Sequence, residues 1–327
     1  MRIGIVGAGA VGGAIAAVLD RAGHDVVVAA RPDALQRLQD GGILLDGAFG
    51  AHSAQIEAAT SLSGDFELVV FATKAPDLAA AVEANAGARF PLALVVRNGL
   101  GARDEVERAL GDSHPTRVSG GLAVFAASLV DPGHVTITAP APLYIGGGDA
   151  QAVTAILRGA LPVVVSDDPI GAEWTKLVVN QVNALPAITG LSVQATIADR
   201  RLRRALTRGI RETVAIARRS GVCFARLQGL SDPLLRLVGA LPIALAEFLP
   251  RAMARRMGAT PNPGSTLQSI RRGRPTEVDW LNGAVVRAAE AFSGAAPVNA
   301  ALVDMVHEVE RTGRFFSVDE VVAALPR

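Results

Sequence analysis

Short apolar runs dominate the first half of the chain, and helix-like stretches recur between them. RIGIVG (2–7), HDVVVAAR (24–31), ELVVFATK (67–74) and LALVVRN (92–98) read as strands, while Val11–Arg21 and Asp77–Asn85 carry helical spacing. Strands and helices in this order predict right-handed βαβ crossovers and a mostly parallel sheet. SGGLAVFAASL (119–129), HVTITAP (134–140) and PLYIGGG (142–148) read as further strands around a Pro132-Gly133 turn. They are expected to give the sheet antiparallel members at its far edge. LPVVVSDD (161–168) reads as the last strand.

After Pro169 the periodicity turns helical, over 172–185, 199–220, 231–256, 276–293 and 297–311. Gly221, Pro261-Asn262-Pro263 and Gly294 mark loops between these segments. The expected fold is an α/β domain over 1–168 followed by an all-α domain over 169–327, and a chain of 327 residues is long enough for two cores. The first helix, EWTKLVVNQVNALPAITG (173–190), sets a Lys and two Asn among apolar residues. At roughly 100° per residue, Lys176, Asn180 and Asn183 share one stripe. Pro186 is expected to end or kink that helix.

Charge narrows the partners. Lys+Arg (32) and Asp+Glu (31) nearly cancel, which argues for a small-molecule ligand over nucleic acid or an acidic membrane. The single cysteine, Cys223, forms no internal disulfide and fits a reducing cytoplasm. Residues 3–19 resemble a secretory apolar segment, but five glycines and a β-rich start oppose that reading. The uncharged stretch Leu177–Ala198 holds Asn180, Gln181, Asn183 and Gln194, which are costly in lipid, so a soluble chain is expected. RRLRR (200–204) reads as a solvated helix face, and the five histidines show no metal-ligand spacing. The Leu- and Ala-rich helical half is compatible with a homodimer.

Gly7-Ala8-Gly9-Ala10-Val11-Gly12 follows the first strand and opens the first helix. In that setting glycines permit a tight turn, a close approach of backbone to a pyrophosphate, and tight helix-to-strand packing. The helix N-terminus offers free N–H groups to the phosphates. At the end of the second strand, where an acidic residue accepts from the ribose 2′-OH of NAD, this chain has Arg31. A cation there attracts a 2′-phosphate, so NADP(H) is the expected cofactor. Lys74 and Asn98, the latter followed by Gly99-Leu100-Gly101, stand at strand carboxyl ends, where open α/β sheets bind ligands.

Together these residues resemble the ketopantoate reductase (2-dehydropantoate 2-reductase) family. Its pattern includes the glycine loop, an Arg after the second strand, a Thr-Lys at the fourth, N-G-x-G, a W-x-K-x-x-x-N helix and a late S-x-x-Q-x-x-x-x-x-R-x-T-E-x-D segment. Here those are Gly7 to Gly12, Arg31, Thr73-Lys74, Asn98 to Gly101, Trp174 with Lys176 and Asn180, and Ser265 to Gln268 running on to Arg274, Thr276, Glu277 and Asp279. The resemblance implies a Rossmann-like NADP-binding domain and a helical substrate domain like the 6-phosphogluconate dehydrogenase C-terminal domain. It implies NADPH-dependent reduction of ketopantoate to pantoate, toward pantothenate and coenzyme A. Lys176 is then the proton donor and Glu277 the active-site carboxylate. Gly7, Ala8, Gly9, Ala10, Val11, Gly12, Arg31, Lys74, Asn98, Ala126 and Glu277 meet the cofactor. Asn98, Lys176, Asn180, Asn183 and Ser265 meet the substrate, and no metal takes part.

The chemistry agrees on its own terms. Hydride arriving at a ketone carbon builds negative charge on oxygen, which a buried Lys stabilises and then protonates. Burial lowers the Lys pKa while a nearby Glu277 opposes the shift, a balance left open by the sequence. Some positions depart from the family. Ala184 stands two turns after the Lys where an Asn is usual, with Asn183 one residue early, so either the helix carries a local adjustment or a substrate contact has moved. Ser269 replaces a common Asp, and the segment from about 228 to 262 is longer than in compact members. These changes lie on the substrate side and keep two alternatives open: a reductase of another 2-oxo acid, and an NADP-binding regulatory protein without turnover. Lys176, Asn180 and Glu277 speak against the second.

Overall fold

The computed structural model describes residues 1–111 and 114–326, and the chain divides into two compact units, Met1–Pro169 and Ile170–Arg327. In chain order the strands of the first unit are β1 (Arg2–Val6), β2 (Asp25–Ala29), β3 (Ile43–Gly47), β4 (His52–Ala54), β5 (Glu57–Ala59), β6 (Leu68–Phe71), β7 (Leu92–Val96), β8 (Arg117–Ala123), β9 (Ala126–Asp131), β10 (His134–Ala139), β11 (Leu143–Gly146) and β12 (Val163–Val165). Its helices are α1 (Ala10–Arg21), α2 (Pro32–Gly41), α3 (Leu78–Asn85), α4 (Ala102–Leu110) and α5 (Ala150–Leu157).

The large sheet runs β12-β11-β8-β7-β6-β1-β2-β5, parallel throughout except where β8 meets β11. Both of its faces are buried. Ile3, Ile5, Val26, Val28, Leu68 and Val70 enter one core, and Val6, Val27, Ala29, Val69 and Phe71 enter the other. Side chains alternate between faces, and with no wet face the strands read as unbroken apolar runs.

The far edge has the expected antiparallel pairing, β11 on β8, but not all of the expected strands join it. Residues 119–129 form two strands, β8 in the large sheet and β9 in a second sheet, β4-β3-β10-β9, with buried Val124 and Phe125 between them. HVTITAP is β10 and pairs with β9 and β3, so it lies off the large sheet. The physical reason is α1, which is apolar over most of its surface and has to be covered on the side away from the large sheet. All four strands of the small sheet lie against it, packing Ile43, Leu45, Val135 and Ile137 into the core that holds Ile15, Val18 and Leu19. Gly13 permits the approach, since a Cβ there would lie 2.9 Å from Val135 Cγ2.

The second unit is helical: α6 (Pro169–Asn180), α7 (Ala184–Thr189), α8 (Val193–Ala198), α9 (Arg200–Arg219), α10 (Asp232–Ala240), α11 (Ile243–Ala246), α12 (Phe248–Arg256), α13 (Gly264–Arg271), α14 (Val278–Glu290), α15 (Pro297–Thr312) and α16 (Val318–Ala324). The expected 172–185 helix is interrupted by a 3-10 turn at Gln181–Asn183, and Pro186 lies inside α7. A proline has no N–H for the carbonyl four residues back and its ring crowds that carbonyl, here Val182. Its effect therefore appears one turn upstream of the ring. The expected 231–256 helix is three helices, because Pro242 holds Leu241 extended at ψ 150° and stops α10. RRLRR is not wholly a solvated face. Arg203 is buried, with Nε donating to Glu247 at 2.8 Å and Nη1 to Ile197 O at 2.7 Å. Among the described residues no helix is long and apolar enough to cross a membrane.

Candidate active site

The glycine loop owes its shape to missing side chains. Gly7 has φ +106°, a conformation that side chains disfavour, and its N–H donates to Ala29 O at 2.9 Å. A Cβ on Gly12 would lie 2.0 Å from Gly7 O, while one on Gly9 would meet nothing within 4 Å. Gly9 is the N-cap of α1, with no capping side chain and no acidic residue in the first turn. The N–H groups of the first turn, beginning at Ala10, Val11 and Gly12, therefore keep their partial positive charge. Ala8, Ala10 and Val11 are half-buried. Beside the loop, Thr73 Cγ2 would lie 3.0 Å from a Cβ on Gly7, and Thr73 Oγ1 is buried with no partner among the described residues. Open space, an uncapped helix start and an orphaned hydroxyl fit a bound dinucleotide.

The other candidates of this unit stand at strand ends. Arg31 is exposed after β2 as the N-cap of α2, with Nη1 3.8 Å from the Asp77 carboxylate. Lys74 is half-buried ahead of a 3-10 turn at Ala75–Asp77. Asn98 is half-buried beyond β7, in a loop held by buried Arg97, which pairs with Glu105 and donates to Leu100 O at 2.9 Å. Ala126 is exposed at the start of β9, in the small sheet, and its carbonyl accepts from Thr138 Oγ1 at 3.3 Å.

In the second unit, Lys176 and Asn180 lie one turn apart on α6. The helix is anchored by buried Trp174, Leu177 and Val178, and by Thr175 Oγ1 at 2.7 Å from Gly171 O and 2.9 Å from Ala225 O. Burial lowers the Lys176 ammonium from 10.5 to about 8 and is the one cause of the shift. Desolvation sets the direction of the shift. Asn180 is 7% exposed. Glu277 is half-buried at the N-cap of α14.

Asn183 lies in a 3-10 turn, not in regular α-helix. Residues three apart eclipse in a 3-10 turn, which places Asn183 in line with Asn180. Its Oδ1 accepts from the backbone N–H of Ser265 at 3.2 Å. Ser265 itself is exposed in the first turn of α13.

The family profile described as "Ketopantoate reductase PanE/ApbA" matches residues 3–150, and the one described as "Ketopantoate reductase PanE/ApbA C terminal" matches residues 168–310. The chain belongs to the ketopantoate reductase family. Among curated relatives, the 2-dehydropantoate 2-reductase of Archaeoglobus fulgidus is 26% identical over 320 residues, covering 94% of this chain and 98% of its own. The solved PanE/ApbA family ketopantoate reductase from Ralstonia eutropha JMP134 is 29% identical with a TM-score of 0.78, covering 95% of this chain and 99% of that one. D-mandelate dehydrogenase, solved with NADH and anilino(oxo)acetate, shares the fold at 20% identity and a TM-score of 0.79, covering 97% and 100%. The plan of a ketopantoate reductase, an α/β domain followed by a helical one, is the plan of this chain.

Some notable residues in this chain escaped sequence reasoning. Thr73 was visible only as half of a Thr-Lys pair. Gln181 Oε1 accepts from Asn282 Nδ2 at 3.0 Å, the same Nδ2 lies 2.9 Å from Asn299 Oδ1, and Asn299 Nδ2 donates to Glu212 at 2.7 Å. These amides are buried, and a buried amide has to be paired without its own segment saying with what. Among the described residues no group of three or more His, Cys, Asp or Glu could hold a metal ion.

Proposed function

We propose that this ketopantoate reductase family member reduces a 2-oxo acid to its 2-hydroxy acid with NADPH, ketopantoate being the leading substrate. The observation that carries the reading is Lys176, a half-buried lysine whose desolvation lowers its pKa to about 8, one turn from a buried Asn180. NADPH, when bound, would supply the hydride for the carbonyl carbon. The Lys176 ammonium faces the charge growing on the carbonyl oxygen and gives up its proton there, leaving Nζ neutral. A drop from 10.5 to about 8 makes that proton easier to release by about 3 kcal/mol. At pH 7 the ammonium is still mostly charged, so the donor is loaded.

Asn180 orients the carbonyl and later the hydroxyl without adding charge. Glu277 supplies a carboxylate acceptor, and Ser265 and Asn98 bind the acid. In the first unit, the backbone from Gly7 to Gly12 with the α1 N-terminus holds the pyrophosphate, Arg31 takes the 2′-phosphate, and Lys74 and Ala126 complete the cofactor's surroundings. Steady-state oxidation of NADPH and NADH across a panel of 2-oxo acids tests the reading. Ketopantoate with NADPH is expected to give the highest kcat/KM, and no turnover of any 2-oxo acid with either cofactor sinks it. A second reading, another 2-oxo acid as the true substrate, is favoured by Asn183 Oδ1 being engaged by Ser265 N–H and by Ala184 following it. A higher kcat/KM for another acid would select that reading.

A further inference from the structure

Ser265 is held by its backbone from two directions. Its N–H donates to Asn183 Oδ1 at 3.2 Å, and its carbonyl accepts from Ser269 Oγ at 3.1 Å. Both partners are buried, Asn183 at 8% exposure and Ser269 at 6%. Ser265 is exposed, and its hydroxyl has no partner among the described residues. The backbone is clamped while the side chain is left open.

The approach is built into the neighbouring turn. Gly264 has φ +73°, and a Cβ there would lie 2.7 Å from Asn183 Oδ1, so a glycine is required for the turn to settle onto that oxygen. Asn262 Oδ1 accepts the Gly264 N–H at 2.9 Å, and Gln194 Oε1 accepts the Asn262 N–H at 2.9 Å. On the other side, Gln181 ties the 3-10 turn that carries Asn183 to Asn282 and, through it, to Asn299. Asn183 and Ser269, read from the sequence as two separate departures from the pattern, therefore act on one residue.

We propose that Asn183 and Ser269 are positioning residues that set the place of the Ser265 hydroxyl and so select among 2-oxo acids, an inference that rests on the reductase reading above. A serine hydroxyl donates to a carboxylate or carbonyl oxygen and accepts from a hydroxyl, so moving it changes which acid leaves no polar group unpaired.

The test uses the full chain and the variants Asn183→Ala, Ser269→Ala, Ser265→Ala and Asn183→Ala/Ser265→Ala. Losing one hydrogen bond that positions the hydroxyl is expected to raise KM for the 2-oxo acid about fivefold in Asn183→Ala, with kcat less affected and KM for NADPH unchanged. In the Ser265→Ala background the same substitution is expected to add nothing, because the hydroxyl it positions is gone. Additive effects on KM would mean that Asn183 touches substrate itself and would overturn the proposal. Amide exchange at Ser265 gives a readout independent of turnover: about tenfold faster exchange in Asn183→Ala supports the clamp, and unchanged exchange overturns it. Should Asn183→Ala fail to fold, Asn183→Asp keeps the acceptor, and loss of Ser265 protection in that variant rules the clamp out. Absence of turnover in the wild type would refute the reductase reading, while exchange would still decide whether the clamp exists.

Discussion

The two units keep their chemistry in different materials. In the first, the candidate site is mostly backbone: the loop from Gly7 to Gly12 has nothing within 4 Å of a Cβ on Gly9, and its function depends on atoms that are absent. In the second, it is side chains, Lys176, Asn180, Glu277 and Ser265, the last held through its backbone by Asn183. A backbone site is damaged by adding one carbon, whereas a side-chain site is damaged by removing one group. The second kind also carries a stability penalty, because its central lysine is charged in a place that disfavours charge.

Lys176→Met sharpens that contrast most. Without a positioned acid, kcat is expected to fall about 10²- to 10⁴-fold, measured as NADPH oxidation at saturating 2-oxo acid. The same variant is expected to be more stable than the wild type at pH 7. The folded pKa, about 8, lies below the ordinary 10.5, so between these values the unfolded chain binds more protons and stability rises with pH. Below pH 8 the full penalty of about 3 kcal/mol applies, and above about pH 10.5 it is gone. Denaturant unfolding from pH 7 to 10.5 should show the advantage of the Met variant shrinking to nothing, and a pH-independent difference would contradict the assignment.

Gly12→Ala is the complementary break in the first unit. The added carbon, 2.0 Å from Gly7 O, has to displace backbone rather than a flexible side chain. A loss of about 2 kcal/mol, seen as a Tm lower by about 5 °C, is expected together with weaker cofactor binding. An unchanged Tm would mean that the loop yields cheaply and that the close approach of α1 to β1 is not a constraint.

What was legible in the sequence follows the same division. β1, α1 and the glycine loop are contiguous, so their signals are local and readable. The assignment of β10 to a second sheet was not, because it depends on β3, a strand roughly ninety residues earlier that carries no strong apolar run. In the helical unit, helical content was plain from periodicity, but the breaks were not: Pro186 distorts the turn before it, and Pro242 divides what looked like one helix. Lys176 and Asn180 were found through their spacing of four. The bond from Asn183 to Ser265 joins residues 82 apart in sequence, and no pattern within one helix announces it.

Arg31 carries the smallest expected effect and tests whether the first unit is a pure backbone site. Its side chain is 61% exposed, and its neighbour Asp77, 3.8 Å away, is 53% exposed, so solvent screens whatever it contributes. A 2′-phosphate gaining one charge-assisted contact in such a setting is worth about 1.4 kcal/mol, or tenfold in affinity. Arg31→Ala is therefore expected to raise KM for NADPH about tenfold and leave KM for NADH unchanged. Asp77→Asn removes a competing carboxylate and should shift KM for NADPH the other way by a smaller factor. Added salt should raise KM for NADPH in the wild type and have little effect in Arg31→Ala, since the screened charge is already gone. If discrimination between the cofactors is the same in all three proteins, Arg31 is an ordinary helix-start residue, and the backbone of the glycine loop binds the dinucleotide without reading its phosphate.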